Sequence, residues 1–319
     1  MSQIAWVVTD GKVGMENQCI AVAKRLGLDP VIKRVKMRAP WKQLSPWGLR
    51  IGNRWSLSRF GDQLDGPLPD ILIATGRHSV TSSLAIGALT NGKCFRVQIQ
   101  NPGIDPSNFD LVVVPRHDRL TGPNVLVTRG APHGVTQAAL DAAKLKFADR
   151  FAPLPQPRIT LLLGGNNGVY KLTELAASKL ADCLSTLARG NQGSVLVTPS
   201  RRTGAAIEAI FKQKLAGIPG EMWDGTGDNP YLGYLAYADH IIVTADSVNM
   251  ACEAAATGKP VYVVPLDGGS DKFRRFHDGL VEDGITRPFQ GSLESWTYPS
   301  FDDAAVIAER ISRERQNRP

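Results

Sequence analysis

A chain of 319 residues is long for one hydrophobic core and fits two domains of about 150 residues each. Its 43% hydrophobic and 21% charged content excludes a disordered or collagen-like polymer, and no apolar run approaches the roughly 20 residues of a spanning helix. The net charge of +7 is unevenly placed: residues 1–150 carry the basic excess and residues 151–319 are slightly acidic, which points to an anionic surface or ligand on the N-terminal half. Cys19, Cys94, Cys183 and Cys252 are widely spaced with no CxxC pair, which suggests no metal or disulfide framework and fits a reducing cytoplasm. The N-terminus runs straight into a strand, so no signal peptide and no mitochondrial presequence are expected.

Ile4 to Val8 reads as the first strand, followed by a glycine-bearing loop, Thr9 to Gln18, and a helix to Leu26. Glycine lets backbone approach a ligand closely at such a junction. The spacing is neither GxGxxG nor a P-loop, so neither fingerprint is licensed. Asp10 and Glu16 are candidate proton-transfer groups there, and Lys12, Gly14 and Asn17 candidate substrate contacts; a solvated loop before a capped helix is the plainer alternative. Val31 to Val35 reads as a second strand. Residues 33–60 are then strongly basic, with Trp41, Trp47 and Trp55 interleaved, and Trp47, Ile51 and Trp55 share a face if the segment is helical. Such a helix suits an anionic membrane surface, or packs on its own domain with solvated arginines. No nucleic-acid-binding module accompanies it, so no nucleic acid partner is expected.

Asp70 to Thr75 is a third strand delivering Arg77, a candidate phosphate or carboxylate ligand, and His78, a candidate general base. Strands at Phe95–Ile99, Leu111–Val114 and Val125–Thr128 follow, and then a helix from Thr136 to Phe151. Ala152 to Arg158, APLPQPR, holds three prolines and reads as a linker. The expected domains are therefore 1–151 and 159–319, with 152–158 between them.

After the linker the strand–helix pattern restarts. Ile159 to Leu163 ends at Gly164-Gly165-Asn166, and Val195 to Thr198 ends at Pro199-Ser200-Arg201-Arg202. Glu221 to Asp224 reads as a short strand, and Asp228-Asn229-Pro230 opens a short helix. Ala238 to Pro265 reads as strand, turn, helix, turn, strand: a parallel crossover unit in which Asp246 or Ser247 caps the helix. In an open α/β sheet the ligand lies beyond the carboxyl ends of the strands. The amides of Ser247, Val248 and Asn249 and the helix dipole would favour a pyrophosphate there, and Glu253 on the same helix would accept from ribose hydroxyls; a plain crossover unit with a capped helix and no ligand is the simpler reading of the turn alone. Asp271–Asp283 and Asp302–Arg315 read as closing helices, with a frayed basic tail from Arg313.

The expected class is α/β, with two Rossmann-like, doubly wound domains facing across a cleft. Two such domains resemble the GT-B class of nucleotide-sugar glycosyltransferases. Gly164-Gly165-Asn166 is similar to the loop that opens the donor domain of that class. The stretch Ala238 to Pro265 looks like the donor-binding stretch of the lipid-linked N-acetylglucosaminyltransferase of peptidoglycan synthesis. That resemblance gives Ser247 and Val248 to the diphosphate and Glu253 to the ribose. A glycine of that enzyme's turn is Asp246 here, a negative charge near the phosphates.

A wider resemblance runs through TDGKVGMENQ, PSRRTG, DNPYLGYLAYAD, TADSVNMACEA, TGKPVYV and KFRRFHDGL. These segments together look like the "elongated mitochondria" fission factors of plants and their bacterial homologues, a glycosyltransferase-like family whose plant members act as scaffolds. The resemblance implies one of two functions. One is a transferase that moves a sugar from a nucleotide-sugar donor to an acceptor, with Arg201 and Arg202 neutralising the leaving diphosphate, without metal or cofactor. The other is a non-catalytic scaffold binding a partner through residues 33–60. The expected location is the cytoplasm, at the inner face of the membrane if the basic segment engages it.

Overall fold

The structure, a computed structural model, describes residues 3–37, 61–299 and 301–318. The expected tryptophan-bearing helix after Met37 lies outside the described residues. Chain contacts divide the protein into two compact units: Met1–Gly134 with Asp302–Pro319, and Val135–Phe301.

In the first unit, β1 (Ala5–Thr9) leads to α1 (Val13–Arg25) and β2 (Val31–Arg34). β3 (Ile71–Thr75) is followed by α2 (Val80–Leu89), then β4 (Phe95–Ile99), β5 (Leu111–Pro115) and β6 (Val125–Thr128). All six strands pair in parallel, in the order β2-β1-β3-β4-β5-β6. β1 and β3 are wholly buried, which is why both read as continuous apolar runs instead of alternating ones.

In the second unit, α3 (Gln137–Lys146) and α4 (Ala148–Phe151) precede β7 (Arg158–Leu163) and β8 (Tyr170–Lys171). α5 (Glu174–Gly190), β9 (Ser194–Pro199), α6 (Ala205–Lys214) and β10 (Gly220–Met222) follow. Then come α7 (Tyr231–Tyr237), β11 (His240–Thr244), α8 (Val248–Ala255), β12 (Val261–Val264) and β13 (Asp267–Gly268). α9 (Asp271–Glu282) and β14 (Thr286–Pro288) close the unit, and α10 (Asp303–Gln316) returns to the first. The main sheet is again parallel, ordered β10-β9-β7-β11-β12-β14, while β8 and β13 form a separate antiparallel pair. Counted within the unit this is the order 3-2-1-4-5-6, whose switch point lies between β7 and β11.

Two boundaries differ from the sequence expectation. The helical stretch before the prolines belongs to the second unit: Phe147 and Phe151 stack at 5.5 Å, and Phe151 meets Tyr234 of α7 edge-on at 5.3 Å. Gly233 makes the close approach possible, because a Cβ there would lie 2.7 Å from the Phe147 ring. The proline stretch is thus a turn inside the second unit, not a linker between the two. Conversely, α10 packs Ala304, Ile307 and Ile311 into the core of the first unit beside α1. Its basic tail is not frayed. Arg318 donates to the Gly92 and Lys93 carbonyls and pairs with Asp110 at 3.1 Å.

Candidate functional site

The second unit's switch point brings together three strand ends that the sequence reading had placed there one by one. Asp246 ties them, and it is 3% exposed. Its carboxylate accepts from the Thr244 hydroxyl at 2.7 Å, from the Gly165 amide at 3.1 Å and from the Arg202 guanidinium. The Gly164 amide in turn donates to the Thr244 hydroxyl at 2.8 Å. Glycine is required at this crossing: a Cβ on Gly164 would lie 2.0 Å from an Asp246 oxygen, and one on Gly165 would lie 2.1 Å from the Arg202 carbonyl oxygen. The Asp246 carboxylate, expected from the sequence beside a diphosphate, is instead turned into the domain and paired with Arg202. Both arginines are exposed, but Arg202 is committed to that carboxylate.

The neighbouring turns are rigid for local reasons. Thr203 donates to the Gly164 carbonyl at 2.6 Å, and its hydroxyl accepts from the Ser200 amide at 2.9 Å. The Ser200 hydroxyl accepts from the Arg202 amide at 3.2 Å. Asn166 accepts from the Leu172 amide, and Asn167 accepts from those of Val169 and Tyr170 and donates to the Asp246 carbonyl. Ser247, not Asp246, caps α8 by accepting from the Met250 amide at 3.3 Å. Val248 and Asn249 form the first turn of α8, where backbone amides lack intrahelical acceptors.

Glu253 is half-buried on α8 and accepts from the Tyr231 hydroxyl at the start of α7. Burial pushes its carboxyl up to about 7, against the Tyr231 hydrogen bond, which pulls it down. The Tyr231 hydroxyl is itself raised, first by burial and then by the Glu253 charge. The sequence carried no signal for this pair, because the two residues stand 22 apart on different helices.

The first unit's switch point lies between β1 and β3 and gathers the residues that follow them. Asp10 takes the Lys12 ammonium at 2.8 Å, and its carboxylate lies 3.7 Å from Nδ1 of His78. Arg77 is exposed beside His78, and Lys12 and Asn17 are exposed, with Gly14 half-buried, around the start of α1. Glu16 stands apart from the group. It is buried and gripped by the Arg34 guanidinium through two hydrogen bonds, of 2.7 and 2.8 Å. Lys33 is also held within the unit, paired with Asp65 at 3.0 Å and lying over the Trp6 ring at 5.0 Å. Among the described residues no cluster of ligating side chains suits a metal ion, and no helix is long and apolar enough to cross a membrane.

Two parallel, doubly wound six-stranded units define a GT-B fold. The fold is similar to that of MurG from Acinetobacter baumannii, at 14% identity and TM-score 0.51 over 99% of this chain and 94% of that one. It is also similar to the UDP-GlcNAc 2-epimerase of Methanocaldococcus jannaschii solved in complex with UDP-GlcNAc and UDP, at 12% identity and TM-score 0.50 over 98% of this chain and 100% of that one. The chain belongs to the mitochondrial fission ELM1 family, whose model matches residues 13–315. The mitochondrial fission protein ELM1 of Arabidopsis thaliana is 31% identical over 97% of this chain and 90% of its own length.

Proposed function

We propose that the chain is a GT-B-type glycosyltransferase that moves a sugar from a nucleotide-sugar to an acceptor hydroxyl. The reading rests on one observation: at the second unit's switch point the only carboxylate in the turn is folded inward onto Arg202, so the first turn of α8 meets the crevice without a competing charge. The epimerase of similar fold holds UDP-GlcNAc and UDP, which supports a donor of that chemistry. In this reading the first amides of α8 and the exposed Arg201 take the diphosphate, and Glu253, oriented by Tyr231, takes the ribose. On the first unit His78 removes the acceptor proton, held in orientation by Asp10, while Lys12 and Arg77 position the acceptor. The acceptor oxygen bonds to the anomeric carbon, the bond from that carbon to the phosphate oxygen breaks, and its electron pair leaves with the diphosphate.

Thermal shift against UDP-, GDP-, ADP-, CMP- and dTDP-sugars tests the donor half. A donor at 100 times its Kd adds about 2.7 kcal/mol, a rise on the order of 5–10 °C in the melting of a unit this size. A flat response across the panel would overturn the reading in favour of a partner-binding scaffold. For the acceptor half, His78→Asn is expected to slow donor hydrolysis, with water as the acceptor, by about 10²–10⁴-fold. The donor-induced thermal shift should survive the substitution. Equal rates for the variant and the parent would remove His78 from the role.

A further inference from the structure

A cavity of about 500 Å³ lies within the second unit, beside the proposed diphosphate turn and reaching it at Ala245. That volume falls in the range of small-molecule sites. One wall is the antiparallel pair of β8 and β13, with Tyr170 and Gly269. The other is α9, with Arg274, His277 and Val281; Leu266 lies between them. The walls are firm. Tyr170 meets Phe273 edge-on at 5.1 Å, and the Gly269 amide donates to the Val169 carbonyl at 2.6 Å. A Cβ on Gly268 would lie 2.2 Å from the same carbonyl oxygen, so the pair closes only with glycine there.

The lining is apolar on its faces and polar at separate points. It is not basic. Arg274 is paired with Asp271 at 2.8 Å, and Asp278 adds a further carboxylate. His277 donates from Nε2 to the Ala245 carbonyl at 2.8 Å, which fixes the ring against the wall, and its Nδ1 is buried away from the cavity. Burial lowers the His277 pKa, so the ring stays neutral near pH 7. A phosphate or carboxylate gains nothing from this lining. A pyranose matches it, because its C–H face lies on apolar and aromatic surface while its hydroxyls donate to the carboxylates of Asp271 and Asp278.

We infer that this cavity receives the transferred sugar of the donor and selects neutral sugars over uronates. The inference rests on the proposed donor reading, and the uncharged sugar is what it adds. The test is calorimetric titration with UDP, UDP-glucose, UDP-N-acetylglucosamine and UDP-glucuronate, and with GDP and GDP-mannose. In whichever series binds, the neutral sugar should bind at least about tenfold tighter than the bare diphosphate, the worth of one or two hydrogen bonds. Should the UDP series be the one that binds, UDP-glucuronate should gain nothing over UDP. Val281→Trp narrows the mouth from a residue 44% exposed, so it spares the core. It should erase the sugar's increment and leave the bare diphosphate affinity in place. Asp278→Asn should narrow the gap between glucose and glucuronate. Equal affinity for the diphosphate and its neutral sugar, or no effect of Val281→Trp, would overturn the cavity assignment while leaving the donor reading standing. If neither series binds, the series picked out by the thermal-shift panel takes their place, and a flat response across that whole panel would remove the donor reading, and this one with it.

Discussion

Asp246→Ala is expected to destabilise the second unit by about 3 kcal/mol and to lower its melting temperature on the order of 10 °C. The estimate comes from the partners left behind. The Thr244 hydroxyl and the Gly165 amide are buried, and each costs about 1–3 kcal/mol when orphaned. The Arg202 ion pair contributes less than its geometry suggests, because that side chain is 43% exposed and water can solvate the freed guanidinium. Asp246→Asn keeps the volume and one acceptor, so it should lose roughly half as much. Gly164→Ala should reproduce the loss from the other side, since its methyl would stand where the carboxylate is. Denaturant melts of the three variants decide it. An alanine variant that melts within a degree or two of the parent would show that Asp246 does not hold the strand ends together.

The second large effect is a slope of stability with pH that belongs to Glu253. Its carboxyl titrates near 7 in the folded chain, against 4.5 for the unfolded reference. Between those values the folded state holds the proton and the unfolded state has released it. The folded state is therefore favoured most below about pH 4.5, loses that advantage as pH rises, and carries the whole penalty above about pH 7. The penalty is on the order of 3 kcal/mol. Glu253→Gln keeps an acceptor for the Tyr231 hydroxyl and removes the titration. It should match the parent near pH 4 and exceed it by about 3 kcal/mol at pH 8. Parallel stability curves for the two proteins over pH 5–8 would refute the assignment. A ribose that donates to the second carboxylate oxygen would favour the ionised form, so a bound nucleotide should flatten the parent's slope.

Much of the fold was legible because buried parallel strands are largely apolar runs: β1, β3, β4, β5, β7, β9, β11 and β12 each lie within a residue or so of the expected range. The family resemblance carried by the quoted motifs is borne out by the match over residues 13–315. The unit boundary was not legible. A helix such as α3 shows in its sequence that it is amphipathic, not which sheet it covers, and the Phe147–Phe151–Tyr234 cluster forms only in three dimensions. β8 and β13, of two residues each, leave no periodicity to read. Within the site, the strand-end loops were found from their position after apolar runs. The inward turn of Asp246 was not, since nothing in TADSV distinguishes a carboxylate facing a ligand from one facing Arg202. Tyr231 escaped for the same reason: its partner is set by the packing of α7 against α8.

The return of α10 to the first unit makes the second an uninterrupted insert. On the ribosome, residues 135–301 are complete before α10 emerges. The first unit's sheet, although synthesised earlier, waits until α10 has been made to gain Ala304, Ile307 and Ile311. The half proposed to bind the donor is thus finished first, and the half proposed to receive the acceptor is exposed longest to proteolysis and chaperones.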